Sequence, residues 1–189
     1  MSSPVCLQAR TSRPAAVSEG LILFKTISLR FRNVLTMQSV NTTQSDRSGS
    51  FWDAVRGEAP LPPAAATLGM EFIDVDPDHG TIELAFTATE DFINPFGNVL
   101  GAYLAAMLYD TVGPTLIATL RPDQFQSTIE LNSSFLRPVR PGRITAKGRV
   151  VHRDGDLAFL DASLFDADGM TVATATATAR VIPFGVSAP

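Results

Sequence analysis

Cysteine is nearly missing from these 189 residues, and so is histidine: Cys6 stands alone, and the two histidines are His79 and His152. One cysteine cannot form an internal disulfide, and no Cys/His cluster has the spacing of metal ligands. Neither an oxidised compartment nor a zinc site is therefore indicated; the expectation is a cytoplasmic protein without metal or redox cofactor. Long apolar runs are also missing, since no stretch approaches the roughly 18 to 20 residues of a membrane span. With 45% hydrophobic and 18% charged residues the composition is that of a soluble globular domain. Basic charge is sparse, too. The formal net charge is -4, and scattered arginines give no broad footprint for nucleic acid.

The charge is unevenly spread. Residues 1 to 36 hold Arg10, Arg13, Lys25, Arg30 and Arg32 against Glu19 alone, so this segment carries +4 and the rest of the chain -8. An Arg-containing, acid-poor start resembles a targeting peptide; the alternative is a start codon chosen upstream of a natural one at Met37. Gln38 to Ser50 is polar and expected to be disordered. We thus divide the chain into a dispensable extension, residues 1–45, and one domain, residues 46–189, long enough to bury a substantial core.

Within the domain a short helix is expected over Ser50 to Arg56, with Phe51, Trp52 and Val55 as its apolar side, ended by Pro60, Pro62 and Pro63. Leu68, Met70 and Phe72, then Ile82, Leu84 and Phe86, recur at period two around a turn at Asp76 to Gly80, the pattern of paired antiparallel strands. Val99 to Ala118 is rich in Ala, Leu and Met and reads as a long helix, with Pro114 expected to kink or shorten it. Four more strands follow: Gln126 to Phe135, Arg143 to His152, Leu157 to Asp166 and Thr171 to Ile182. A helix apolar on nearly every face must be surrounded. The expected class is α+β, a curved antiparallel sheet of five to six strands around one central helix.

The segment Asn94-Pro-Phe-Gly97-Asn-Val99-Leu100-Gly101-Ala102 leads into Tyr103-Leu-Ala-Ala-Met-Leu-Tyr109-Asp110-Thr111-Val-Gly113-Pro114. Here the sequence resembles the hotdog-fold thioesterases of the PaaI type, whose pattern is N-x-x-G-x-V-H-G-G followed by a helix with an acid about two turns in. A subgroup reads F-L-A-A-M-L-D-D-T-M-G-P. The likeness extends through Ser127 to Pro138 and Asp166 to Ala173, and so covers about residues 66 to 182. It implies hydrolysis of an acyl-CoA thioester by a dimer or a pair of dimers, with Asn94, Gly101, Ala102 and Asp110 from one chain and Thr128 from the other.

The chemistry has a physical logic of its own. Gly101 and Ala102 open the helix, where backbone N–H groups lack partners and the macrodipole favours negative charge. Small side chains let a thioester carbonyl approach those donors; the alternative role is close packing. Asp110 is the only carboxylate between Asp91 and Asp123, on an otherwise apolar helix, so its presence asks for a reason. It can act as general base toward water, or attack directly to form an anhydride. Counted from Leu100, which replaces the family's histidine, the usual acid position falls on Tyr109, and Asp110 lies about 100° further round the helix. Tyr109 is then a hydrogen-bond donor to substrate or a packing residue.

The resemblance assigns Asn94 to orienting water or the acid, Gly97 to a tight backbone path, and Thr128 to positioning water. An Asx turn at Asn94 and plain β-propensity at Thr128 are the bland alternatives. Arg137, Arg140 and Arg143 are assigned to the CoA moiety, against ordinary solvated charge. Leu100, Tyr103, Phe92, Phe96 and Met107 are expected to line the acyl pocket. Hydratases of this fold require a histidine near the helix start, which this chain lacks; the alternative from another class is a catalytically weak acyl-CoA-binding or sensing module.

Overall fold

The structure, a computed structural model, describes residues 47–184. The expected extension, residues 1–45, lies outside the described residues. Two short helices, α1 (Ser50–Val55) and α2 (Pro63–Thr67), precede the strands β1 (Glu71–Asp76) and β2 (Thr81–Ala88). A single 3-10 turn, Glu90–Phe92, leads toward the long helix α3 (Gly101–Ile117), and four strands complete the domain: β3 (Gln124–Phe135), β4 (Gly142–Asp154), β5 (Leu157–Phe165) and β6 (Thr171–Pro183). The strands form one antiparallel sheet in the order β1-β2-β4-β5-β6-β3, with α3 packed against all of its strands except β1. This is the hotdog arrangement, with the full six strands of the expected range.

The reason the sheet wraps the helix is visible strand by strand. In β5, Ala158, Leu160, Ala162 and Leu164 are buried and alternate with more exposed residues; in β6, Ala173, Ala175, Ala177 and Ala179 do the same between threonines. Small inward side chains bring the sheet close to α3, whose Leu104, Met107, Leu108, Val112 and Leu116 are all buried. Helix and sheet approach closely at Gly148 of β4. A Cβ there would collide with the Thr115 hydroxyl and come within 3.0 Å of Thr111 Cγ2. Both threonines satisfy their buried hydroxyls by donating back to helix carbonyls, Thr111 to Met107 at 2.7 Å and Thr115 to Thr111 at 2.6 Å.

Two expectations need correction. Pro63 does not only end the preceding helix; it begins α2, because a proline at the first helical position gives up an N–H that has no partner there anyway. The first strand accordingly starts at Glu71, and Leu68 and Met70 are buried in the α2–β1 connection. Gly69 makes that connection with φ +62, where a side chain would meet Thr87. Pro114 likewise does not shorten α3, which continues to Ile117. Among the described residues no helix is long and apolar enough to cross a membrane.

Candidate active site

The loop before α3 is held from both sides. Asn94 Oδ1 accepts hydrogen bonds from the N–H groups of Phe96 (2.9 Å) and Asn98 (3.2 Å), while the Asn94 carbonyl accepts from Gly97 N–H at 2.9 Å. The oxygen of Asn94 thus closes an Asx turn. Its amide NH2 makes no hydrogen bond to the described residues. Gly97 has φ +74, and Arg140 Nη1 lies so close that a Cβ at Gly97 would be 2.7 Å from it. That guanidinium donates to the carbonyls of Gly97 (2.9 Å) and Phe96 (3.3 Å), which makes Arg140 a clasp on the loop. Val99 N–H donates to Val139 and Leu100 N–H to Phe92, and the Phe92 ring stacks on Tyr103 at 4.0 Å.

So fixed, the chain enters α3 with Leu100 as an extended N-cap that offers no capping side chain. The N–H groups of Gly101 and Ala102 therefore have no acceptor among the described residues, and Ala102 is exposed. Leu100 is exposed as well, and the Phe135 ring lies over Gly101, 3.4 Å from where a Cβ would be. This is an anion-favouring helix start.

Asp110 is somewhere else. Nine residues along an α-helix amount to about 13 Å of rise, so the Gly101 amides and the Asp110 carboxylate of one chain cannot hold the same carbonyl and water. Asp110 is partly buried, its Oδ2 is out of solvent without a hydrogen-bond partner among the described residues, and burial raises its pKa above the ordinary 3.8. It opens onto a cavity of about 890 Å³ lined by α1, Leu61, Phe72, the α3 segment from Tyr109 to Ile117, and Gln124 to Gln126 of β3. Of the other expected site residues only Tyr109, half-exposed, borders this space.

Gln126, which sequence reading passed over, joins Thr128 to this second group. Its side chain is buried, Oε1 accepts from the Thr128 hydroxyl at 3.1 Å, and Nε2 lies where a Cβ on Gly113 would approach to 3.1 Å. The available signal was a glutamine on the inward-facing side of a strand, between Phe125 and Ser127.

The site residues thus separate into two groups, which corrects the expectation that Asn94, Gly101, Ala102 and Asp110 work together within one chain. One group is Asn94, Gly97, Leu100, Gly101, Ala102 and Tyr103; the other is Tyr109, Asp110, Gln126 and Thr128. The expected acyl-pocket residues also move: Met107 is fully buried in the core, Phe92 is buried against Tyr103, Phe96 is 82% exposed, and none borders the cavity at Asp110. The arginines do not act as one cluster either. Arg140 clasps the loop, Arg143 pairs with Glu71 at 2.8 Å, and Arg137 is exposed with no partner among the described residues. Among the described residues no three His, Cys, Asp or Glu side chains converge as metal ligands would.

A helix sheathed in one curved sheet, with its first amides free and one carboxylate of raised pKa midway along it, defines a hotdog-class domain equipped for carbonyl chemistry. The thioesterase superfamily model matches residues 96–173. A phenylacetic acid degradation-related protein of Ralstonia eutropha is 40% identical, with a TM-score of 0.67, over 70% of this chain and 99% of that one. The Escherichia coli PaaI protein from the phenylacetic acid degradation operon (20% identity, TM-score 0.62, 70% of this chain and 93% of that one) shares the fold. So does a thioesterase of Haemophilus influenzae (17% identity, TM-score 0.65, 76% and 97%). No curated protein matches significantly. The chain belongs to the thioesterase superfamily, within its PaaI-type branch, and its reaction class is thioester hydrolysis.

Proposed function

We propose that the protein hydrolyses an acyl-CoA thioester at a site assembled from two copies of the chain, without metal or redox cofactor, in the cytoplasm. The observation that carries this reading is the Asp110 oxygen, buried and unpartnered on the wall of a large cavity. A carboxylate kept short of hydrogen bonds is a stronger base than one in water, and it has a free lone pair to receive a proton.

The free amides of Gly101 and Ala102 lie about 13 Å away on the same helix, so a second copy must bring its helix start to Asp110. In the pair, the thioester oxygen is held by the N–H groups of Gly101 and Ala102 from one copy, with the Asn94 amide close by. Asp110 of the other copy takes a proton from water as the water oxygen bonds to the thioester carbon. Negative charge that develops on the carbonyl oxygen is stabilised by the amides. Collapse of the adduct breaks the C–S bond, and the departing CoA sulfur takes up the proton held by Asp110, leaving the free acid. Gln126, which lines the same cavity as Asp110 and accepts from the Thr128 hydroxyl, positions the water. Arg137, exposed and without a partner among the described residues, suits the CoA phosphates.

A second reading is favoured by Leu100, an exposed apolar side chain where the family pattern has histidine: an acyl-CoA-binding or sensing module of little activity. Thiol release from a panel of acyl-CoA thioesters separates the two. Hydrolysis that Asp110→Asn abolishes supports the enzyme; saturable binding without thiol release supports the module.

A further inference from the structure

We propose that Arg140 is a positioning residue for the reaction: its guanidinium fixes the loop that presents the Asn94 amide and the Gly101 and Ala102 N–H groups to the thioester oxygen, and it is not a ligand of the CoA phosphates. This role rests on the thioesterase reading of the site. The guanidinium donates from Nη1 alone to two carbonyls far away in sequence, Gly97 at 2.9 Å and Phe96 at 3.3 Å. Arg140 is exposed and makes no ion pair among the described residues, so neither burial nor a carboxylate holds it in this pose. What holds it is the loop, through hydrogen bonds strengthened by the charge on the donor.

The loop needs that contact. Among the described residues every other hydrogen bond of residues 94–98 is local: Asn94 N–H to the Asn98 carbonyl, Gly97 N–H to the Asn94 carbonyl, and Phe96 and Asn98 N–H to Asn94 Oδ1. These bonds fix the shape of the loop, not its place. Its place is set by the turn before β4, where Val139 accepts from Val99 N–H at 2.8 Å and Arg140 grips the two carbonyls. A loop free to slide changes how the Asn94 amide stands to the first amides of α3, and about 1 Å of misplacement can cost up to about 100-fold in rate. Gly97 is the other half of the clasp. At φ +74 it has a backbone that side chains rarely adopt, and a Cβ there would lie 2.7 Å from Nη1, so any larger residue displaces the guanidinium.

Arg140→Ala is compared with the parent on the acyl-CoA thioester of the panel that the parent hydrolyses fastest. Its kcat should fall by about tenfold or more, while the inhibition constant of free CoA stays within about twofold of the parent's. Gly97→Ala should lose kcat in the same way, and the double variant should be no slower than the slower single one, because both act on one contact. Hydrogen exchange followed without substrate gives a second readout. In Arg140→Ala the Gly97 and Asn98 N–H groups should exchange faster, while the amides of β4 and β5 keep their protection, which a general loss of stability would not produce. If kcat of Arg140→Ala stays at the parent value the proposal is overturned, and weaker inhibition by free CoA then makes Arg140 a phosphate ligand. A loss of kcat with unchanged exchange at Gly97 and Asn98 also overturns it, since Arg140 is then not what holds the loop. If the parent hydrolyses none of the panel, the thioesterase reading fails instead; exchange alone then decides the clasp, faster exchange at Gly97 and Asn98 supporting it and unchanged exchange overturning it.

Discussion

Asp110 is the base of the proposed reaction, and its environment gives that proposal a double signature. Replacing it with Asn keeps shape and removes the base, so kcat for thioester hydrolysis should fall by roughly 100-fold or more, with acyl-CoA binding retained. Tyr109→Phe, at an exposed neighbour, should cost far less; equal losses in the two variants would shift the base assignment toward Tyr109. The pKa of Asp110 is raised by burial, so activity should rise with pH through a midpoint above the ordinary carboxylate value of 3.8 and then level off. The same shift has the opposite sign for stability. A carboxyl group that binds its proton more tightly when folded contributes most below its unfolded pKa, and that contribution is lost as pH rises through the folded value. Asp110→Asn should therefore melt at a higher temperature than the parent at neutral pH, and the gap should close as the solution is acidified. Identical melting curves for the two at every pH would show that the carboxylate is not under strain.

At the scale of elements, α3 and the strands facing it were legible because each carries a simple period. The helix is apolar nearly all round, and β5 and most of β6 alternate, so their existence follows from side-chain burial alone. The misread elements turn on backbone chemistry that hydrophobic period does not report. Pro63 opens a helix or closes one depending on which side of it the chain turns, and Leu68 and Met70 are buried whether they lie in a strand or in a turn made by Gly69. The Asn94 loop was legible as a motif, but its clasp by Arg140, 43 residues away, was not. The separation of Asp110 from the Gly101 amides was already contained in a helix expected over Val99 to Ala118, since nine helical residues rise about 13 Å. Gly148 is a point where helix and sheet come close, and its role is steric. Gly148→Ala forces a methyl group against Thr115, Thr111 and Ile82, which should destabilise the fold by about 1–3 kcal/mol, the usual cost of overpacking. Denaturant or thermal unfolding measures this, and an Ala variant as stable as the parent would mean that α3 can move away from β4.

For the whole molecule the proposed site draws on two copies, because one chain keeps the Gly101 amides and Asp110 about 13 Å apart along α3. β3 is a twelve-residue edge strand with Ile129 and Phe135 exposed, so it offers unpaired backbone and apolar surface of the kind a second copy covers. Sedimentation should give at least twice the 20.2 kDa of one chain. A stricter test uses the symmetry of the pair. In a two-fold dimer each active site takes the helix start from one copy and Asp110 from the other. Asp110→Asn spoils one half, and Gly101→Val spoils the other, because a branched side chain blocks the approach of the carbonyl to the amides. Each variant alone should be inactive. When the two are co-expressed, a mixed dimer unites an intact Gly101 with an intact Asp110 in one of its two sites. With random pairing, half of the dimers are mixed, and about a quarter of the parent's thiol-release rate should return. A site contained within a single chain predicts no recovery, since every chain in the mixture then carries a defect in its own site.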